Sequence, residues 1–268
     1  MIGVFDSGLG GLTALREIRS ELPKSDIIYF GDTARIPYGT KSKEVIDRYS
    51  LQDCTFLNSL GVDILLAACG TVSSNSLSLL KSRFDTPVFG VIEGAAQKAA
   101  ETASSGNGRI LVLGTCATVE SRAFEKAIYA IDSSLTVYQQ ACPMFVPLAE
   151  SWNTSPDDEA CRAVANEYLS SYTSIEPSAV ILGCTHYPLL SELISSFLPK
   201  SELISSGKEA ARLLSYKINE LGINTHEHGN TVFYTSDDPA QFKKSAERFF
   251  GSAITQDVYN INIESVNI

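Results

Sequence analysis

Apolar and polar positions switch between two periods along the chain, and the switch recurs from end to end. Residues 2–5 form a short apolar run. The glycine-rich turn Asp6-Ser7-Gly8-Leu9-Gly10-Gly11 follows, and then Leu12, Leu15, Ile18 and Leu22 recur at helical spacing up to Pro23. Residues 26–30 predict a second strand, 31–40 a polar loop holding Pro37-Tyr38-Gly39, and 42–60 a helix. Residues 62–68 are apolar on both faces, as a central parallel strand requires, and stop at Cys69-Gly70-Thr71 ahead of a serine-rich helix through Leu80. Further strands are predicted over 87–92, 109–114, 135–139, 178–182 and 231–235. Helices are predicted over 95–103, 157–172, 189–197, 209–221 and 240–250, the last with Phe242, Ala246, Phe249 and Phe250 on one side. Repeated strand–helix units define an α/β fold with mostly parallel sheets.

Two stretches are alike. Val62-Asp63-Ile64-Leu65-Leu66-Ala67-Ala68-Cys69-Gly70-Thr71 and Ser178-Ala179-Val180-Ile181-Leu182-Gly183-Cys184-Thr185-His186 each run from an apolar strand through a small residue to a cysteine, with a threonine within two positions. Cys184 lies 115 residues after Cys69, about one domain length. The spacing predicts two pseudo-symmetric domains, each delivering one cysteine at the C-terminal end of a strand, where open α/β sheets bind ligands. The active site is then expected in the cleft between them.

Composition narrows the chemistry. With 44% hydrophobic and 19% charged residues, the chain of 268 falls in the soluble globular range, and no stretch nears the ~18 apolar residues of a membrane span. A formal charge of −10 repels phosphate backbones, so nucleic acid is excluded as a partner. An anionic small molecule stays open, because backbone N–H groups make a site locally positive. The opening Met1-Ile2-Gly3-Val4-Phe5 reads as a buried strand rather than a leader, so a cytoplasmic protein with reduced thiols is expected. No Cys-x-x-Cys pair occurs, and His186, His226 and His228 lack zinc-ligand spacing, so no metal is expected.

The loop after the first strand is neither a dinucleotide fingerprint, since Thr13 stands where a third glycine belongs, nor a P-loop. Two readings of it stay open: a tight turn with Asp6 as a cap, or a pocket in which Asp6 handles protons. Cys69 and Cys184 read either as small core residues or as reactive thiols whose place before helix N-termini favours thiolate. Two thiols on facing domains suit removal of a proton from one face of a carbon and its return on the other, with Asp6, Glu150 and His186 as proton shuttles. Alternatively Cys184 and His186 form a thiolate–imidazolium pair for acyl transfer, which leaves Cys69 idle. Cys54, Cys116, Cys142 and Cys161 are read as packing residues, and His226-Glu227-His228 as an exposed loop.

The strings Ile2-Gly3-Val4-Phe5-Asp6-Ser7-Gly8-Leu9-Gly10-Gly11-Leu12-Thr13, Tyr29-Phe30-Gly31-Asp32-Thr33-Ala34-Arg35-Ile36-Pro37-Tyr38-Gly39-Thr40-Lys41 and Leu182-Gly183-Cys184-Thr185-His186-Tyr187-Pro188-Leu189 resemble the bacterial glutamate racemases, of the cofactor-independent aspartate/glutamate racemase superfamily. The resemblance runs nearly end to end. It implies Cys69 and Cys184 as the acid/base pair, with substrate held by Asp6, Ser7, Pro37, Tyr38, Gly39, Gly70, Thr71, Thr115, Thr118, Thr185 and His186. It implies no metal, no pyridoxal phosphate, and a role supplying D-glutamate for peptidoglycan. It also implies a first domain of residues 1–92 with 208–268 and a second of 93–207; a homodimer is the expected assembly. One departure stands out: where the family reads Ala-Cys-Asn-Thr, this chain has Ala68-Cys69-Gly70-Thr71, losing an amide that would contact the substrate. The alternatives kept open are another acidic amino acid such as aspartate, and a weakly catalytic amino-acid-binding or regulatory relative.

Overall fold

The computed structural model describes residues 1–151, 154–225 and 228–268. Strands and helices follow in the order β1 (Ile2–Asp6), α1 (Leu12–Glu21), β2 (Ile27–Gly31), α2 (Lys43–Ser59), β3 (Ile64–Ala67), α3 (Gly70–Asn75), α4 (Leu77–Arg83), β4 (Val88–Gly90) and α5 (Ile92–Ser104). The second half continues with β5 (Arg109–Gly114), α6 (Cys116–Ser121), α7 (Ala123–Ile131), β6 (Thr136–Ala141), α8 (Phe145–Glu150), α9 (Glu159–Leu169), β7 (Ala179–Leu182), α10 (Ser191–Phe197) and β8 (Glu202–Ser205). It closes with α11 (Ser206–Leu221), β9 (Thr231–Thr235), α12 (Pro239–Phe250) and β10 (Val258–Asn260).

The strands make a six-stranded sheet, β10-β9-β2-β1-β3-β4, and a four-stranded sheet, β6-β5-β7-β8, with every pairing among the described residues parallel. Within the larger sheet β2-β1-β3-β4 repeats the order of β6-β5-β7-β8, so β3 and β7 hold equivalent places. That is the internal repeat, seen as topology. Both β3 and β7 are buried along their length because helices cover both faces. Alternate residues serve opposite cores: Ile2 and Val4 pack with α1 and α11, whereas Phe5 packs with α2. In the smaller sheet Leu111 and Leu113 face one core, and Ile110 and Val112 face another with α5.

Local chemistry sets several boundaries. The N-cap Asp238 accepts from the Ala240 N–H at 2.8 Å, Pro239 opens α12, and Gly251 closes it at φ 83°. The single helix expected through Leu80 is instead two. Ser73, Ser74 and Ser76 turn their hydroxyls to the Ala67 carbonyl, the Thr71 carbonyl and Asp47, and the ladder breaks at Ser76. The helix expected over 157–172 starts later, since Asp158 caps it by accepting from the Cys161 N–H, and ends at Leu169 in a 3₁₀ turn.

A buried ionic cluster fixes the loop after β2. Arg35 donates to Asp32 at 2.6 Å and to Asp53 at 2.9 Å, stacks 4.0 Å from the centre of the Tyr49 ring, and is closed over by the Tyr38 hydroxyl, which donates to both carboxylates. Burial and the nearby Asp32 charge push the Asp53 carboxyl well up, so the guanidinium is what lets two carboxylates share this interior. Removing one member of such a cluster leaves uncompensated buried charge. Arg35→Ala is expected to lower unfolding free energy by about 3–5 kcal/mol in urea titration, and a loss below about 1 kcal/mol contradicts this account.

Candidate active site

The functional residues leave the sheets at the C-terminal ends of their strands. Asp6 ends β1, Cys69 follows β3, Thr115 follows β5 and Cys184 follows β7, so the two sheets aim these ends at one cleft. Ser7, Pro37, Tyr38, Gly39, Cys69, Gly70, Thr71, Thr115, Glu150, Cys184, Thr185 and His186 line a cavity of about 550 Å³. Asp6 and Thr118 stand one layer behind it. Asp6 accepts from the Gly8 N–H at 3.0 Å and from the Thr185 hydroxyl at 3.5 Å, and Thr118 shares a 2.9 Å hydrogen bond with Thr115.

The walls are tied across the cleft. Thr71 and Thr115 hydroxyls lie 3.0 Å apart, Thr13 donates to the Thr185 carbonyl at 2.8 Å, and the Ala117 N–H donates to the Gly39 carbonyl at 3.2 Å. The glycine loop takes part through its missing side chains: a β-carbon on Gly10 would lie 2.2 Å from the Thr185 hydroxyl and 2.6 Å from the His186 ring. The glycine-rich loop is therefore a close-approach surface against the Thr185–His186 segment.

The two thiols sit in unlike surroundings. Cys69 donates to the Ser7 hydroxyl at 3.6 Å, and burial, aided by the Asp6 charge, pushes its thiol up to about 12 against the Val72 and Ser7 hydrogen bonds. It holds its proton near neutral pH, which corrects the expectation that a helix N-terminus makes it a thiolate. The six-residue α3 is too short to overcome that burial. Behind Cys184 the chain passes through a 3₁₀ turn, Tyr187–Leu190, before α10 begins, so Cys184, unlike Cys69, caps no α-helix. Its neighbour is His186, whose Nδ1 is 3.9 Å from the sulfur and whose Nε2 is 3.0 Å from a Glu150 carboxylate oxygen. Burial disfavours the imidazolium, but the Cys184 and Glu150 hydrogen bonds and the Cys184 and Asp6 charges prevail and push His186 up to about 10. Burial also raises the Asp6 carboxyl, outweighing the His186 charge and the Gly11, Gly8 and Thr185 hydrogen bonds.

Several lining residues escape sequence reasoning. From α12, Gln241, Phe242, Ser245 and Phe249 reach the cavity, with Phe249 edge-on to His186 at 5.3 Å between ring centres. A 3.6-residue period shows that α12 has an apolar face and leaves open whether that face meets a core or a cleft. Cys116, read as packing, also lines the cavity, whereas Cys54, Cys142 and Cys161 are buried. None of the six cysteines forms a disulfide. His226 and Glu227 fall outside the described residues; His228 is exposed and pairs with Asp26 at 2.8 Å. Among the described residues, no three histidine, cysteine, aspartate or glutamate side chains gather as a metal site, and no helix is long and apolar enough to cross a membrane.

Two parallel sheets of repeated strand order, with Cys69 and Cys184 behind equivalent strands at a shared cleft, define an α/β enzyme. Residues 7–214 match the model of the Asp/Glu/Hydantoin racemase family. The chain is 43% identical over 267 residues to a glutamate racemase of Geobacter metallireducens, covering 98% of this chain and 97% of that one. It is 42% identical over 253 residues to that of Persephonella marina, covering 94% of each. The crystal structure of glutamate racemase from Francisella tularensis in complex with D-glutamate superimposes with a TM-score of 0.90 at 34% identity, covering 98% of both chains. The chain belongs to the Asp/Glu/hydantoin racemase family, and it is a racemase, an enzyme of the isomerase class.

The His186 geometry yields a pH signature. A proton bound more tightly in the folded state, up to about 10 against an ordinary 6.5, stabilises the fold fully below about 6.5. That stabilisation is lost as pH rises toward about 10. Wild type is expected to lose urea-midpoint advantage over His186→Asn across this window; parallel curves for the two contradict a buried imidazolium.

Proposed function

We propose that this chain interconverts L- and D-glutamate by proton transfer at the α-carbon, with Cys69 and Cys184 as the two acid/base residues. The observation that carries the reading is the placement of both sulfurs on opposite walls of one cavity, each behind the equivalent strand of its sheet. Relatives named glutamate racemase over nearly the whole chain, and a neighbour structure holding D-glutamate, support the substrate. The cavity has room for an amino acid of that size.

The unlike environments divide the labour in the resting enzyme. Cys69 keeps its proton, and the His186 imidazolium stands beside the Cys184 sulfur, where it stabilises the thiolate that the reaction needs. The Cys184 thiolate takes the α-proton from one face, leaving a carbanion conjugated with the substrate carboxylate. The Cys69 thiol then protonates the opposite face. The S–H bond broken at Cys69 and the one formed at Cys184 balance, so the product leaves the enzyme with its thiol states exchanged, poised for the reverse direction. Asp6, raised by burial, and the Glu150–His186 pair restore the starting protonation. Ser7, Tyr38, Gly39, Thr71, Thr115, Thr118 and Thr185 supply hydrogen-bonding groups at or just behind the wall for the ammonium and two carboxylates. Acyl transfer by Cys184 and His186 leaves Cys69 without a task, and the racemase family weighs against it.

With this reading go a lobe of residues 1–92 with 208–268 and a lobe of residues 93–207. The packing of α5 against the smaller sheet and of α11 with α1 supports that division. A homodimer, a cytoplasmic location and supply of D-glutamate to peptidoglycan belong to the same proposal. Cys69→Ser and Cys184→Ser are each expected to cut racemisation by about 10²–10⁴-fold in a circular-dichroism assay of glutamate, since serine is far too weak an acid/base. Full activity in either variant excludes the two-thiol scheme.

A further inference from the structure

We propose that Gly70 is a positioning residue that sets the separation of the two thiol-bearing loops, an inference resting on the two-thiol reading above. Gly70 directly follows Cys69, and Gly183 directly precedes Cys184. The two glycines meet backbone to backbone across the cleft. A β-carbon on Gly70 would lie 2.0 Å from the Gly183 carbonyl oxygen, 3.1 Å from its carbonyl carbon and 3.8 Å from the Cys184 α-carbon. Real β-carbons essentially never come within 3.0 Å of another heavy atom, so any side chain at 70 forces the loops apart by roughly 1 Å or more.

Neither loop has slack to absorb that shift. On the first wall the Ala68 N–H donates to the Phe5 carbonyl at 2.9 Å, and the Ser73 N–H donates to the Cys69 carbonyl at 2.9 Å. On the second, the Gly183 N–H donates to the Leu113 carbonyl at 2.8 Å. A β-carbon on Gly183 would itself stand 2.7 Å from that same carbonyl oxygen. The carbonyl that blocks position 70 thus belongs to a peptide held at the end of the central β7–β5 pair. Relief has to come from separation of the walls, which stretches the Thr71–Thr115 hydrogen bond beside it. Proton transfer from both faces of one carbon is sensitive to such a change, since a misplacement of about 1 Å costs on the order of 10²-fold in rate.

The departure at position 70 is then a trade. This chain gives up a side-chain contact to substrate and gains direct backbone approach between its thiol loops. Restoring the residue that the family resemblance places there should therefore harm this enzyme. Racemisation kinetics of wild type, Gly70→Ala and Gly70→Asn with glutamate test this. The wild-type rate tests the two-thiol reading, whereas the ratio of variant to wild type tests Gly70. Both variants are expected to lose about 10- to 100-fold in kcat with KM changed by less than about threefold. A kcat within twofold of wild type in either folded variant, a gain in Gly70→Asn, or a loss confined to KM overturns the proposal. If neither variant folds, a crystal structure of wild type with glutamate in the cleft decides. Gly70 and Gly183 too close to admit a β-carbon supports the assignment, and room for one overturns it.

Discussion

The proposed two-thiol scheme, with one base for each face of a carbon, needs walls whose spacing is fixed, and backbone meets backbone between these two walls. Gly70 touches the Gly183 peptide, Gly10 lies against Thr185 and His186, and hydroxyl pairs such as Thr71 with Thr115 bind the seam between those contacts. Side chains of any length along this line would hold the lobes apart. The equivalent placement of β3 and β7 in twin sheets then does the rest, because each strand points its C-terminal end, and its cysteine, into the cleft. Helices covering both faces of the parallel sheets bury those strands along their length.

Within that frame, symmetry of backbone is combined with asymmetry of charge. Cys69 is shut in with Asp6 and keeps its proton, while Cys184 faces a cationic imidazole braced by Glu150. The repeated strand order supplies the geometry, and residues that differ between the two halves, such as His186 and Glu150, supply the polarity. The chain's formal charge of −10 does not conflict with an anionic substrate, since the local field is set by His186 and by N–H groups at the strand ends.

Much of this is legible in the sequence, for identifiable reasons. The apolar runs before Cys69 and Cys184 are buried on both faces and carry a signal independent of register, so both strands and their cysteines can be found without a structure. Edge elements are harder: β8 (Glu202–Ser205) has Ile204 as its one buried residue, and β10 (Val258–Asn260) has none, so neither shows a period. The break between α3 and α4 depends on where serine hydroxyls find acceptors, one of them on α2, which is tertiary information. The same holds for α12, whose Phe242 and Phe249 pack in the core and also wall the cavity. The thiol states depend on burial against neighbours distant in sequence, and helix placement alone points the wrong way for Cys69.

The central claim is that one thiol removes the α-proton and a different one replaces it. The most direct test is the fate of solvent deuterium during the first few per cent of conversion of L-glutamate in heavy water, read by proton NMR or mass spectrometry on separated enantiomers. The account predicts D-glutamate carrying deuterium at the α-carbon while the remaining L-glutamate keeps its protium. Deuterium entering the remaining L-glutamate as fast as D-glutamate forms, or D-glutamate retaining the original proton, would mean that a single base works both faces and would contradict it.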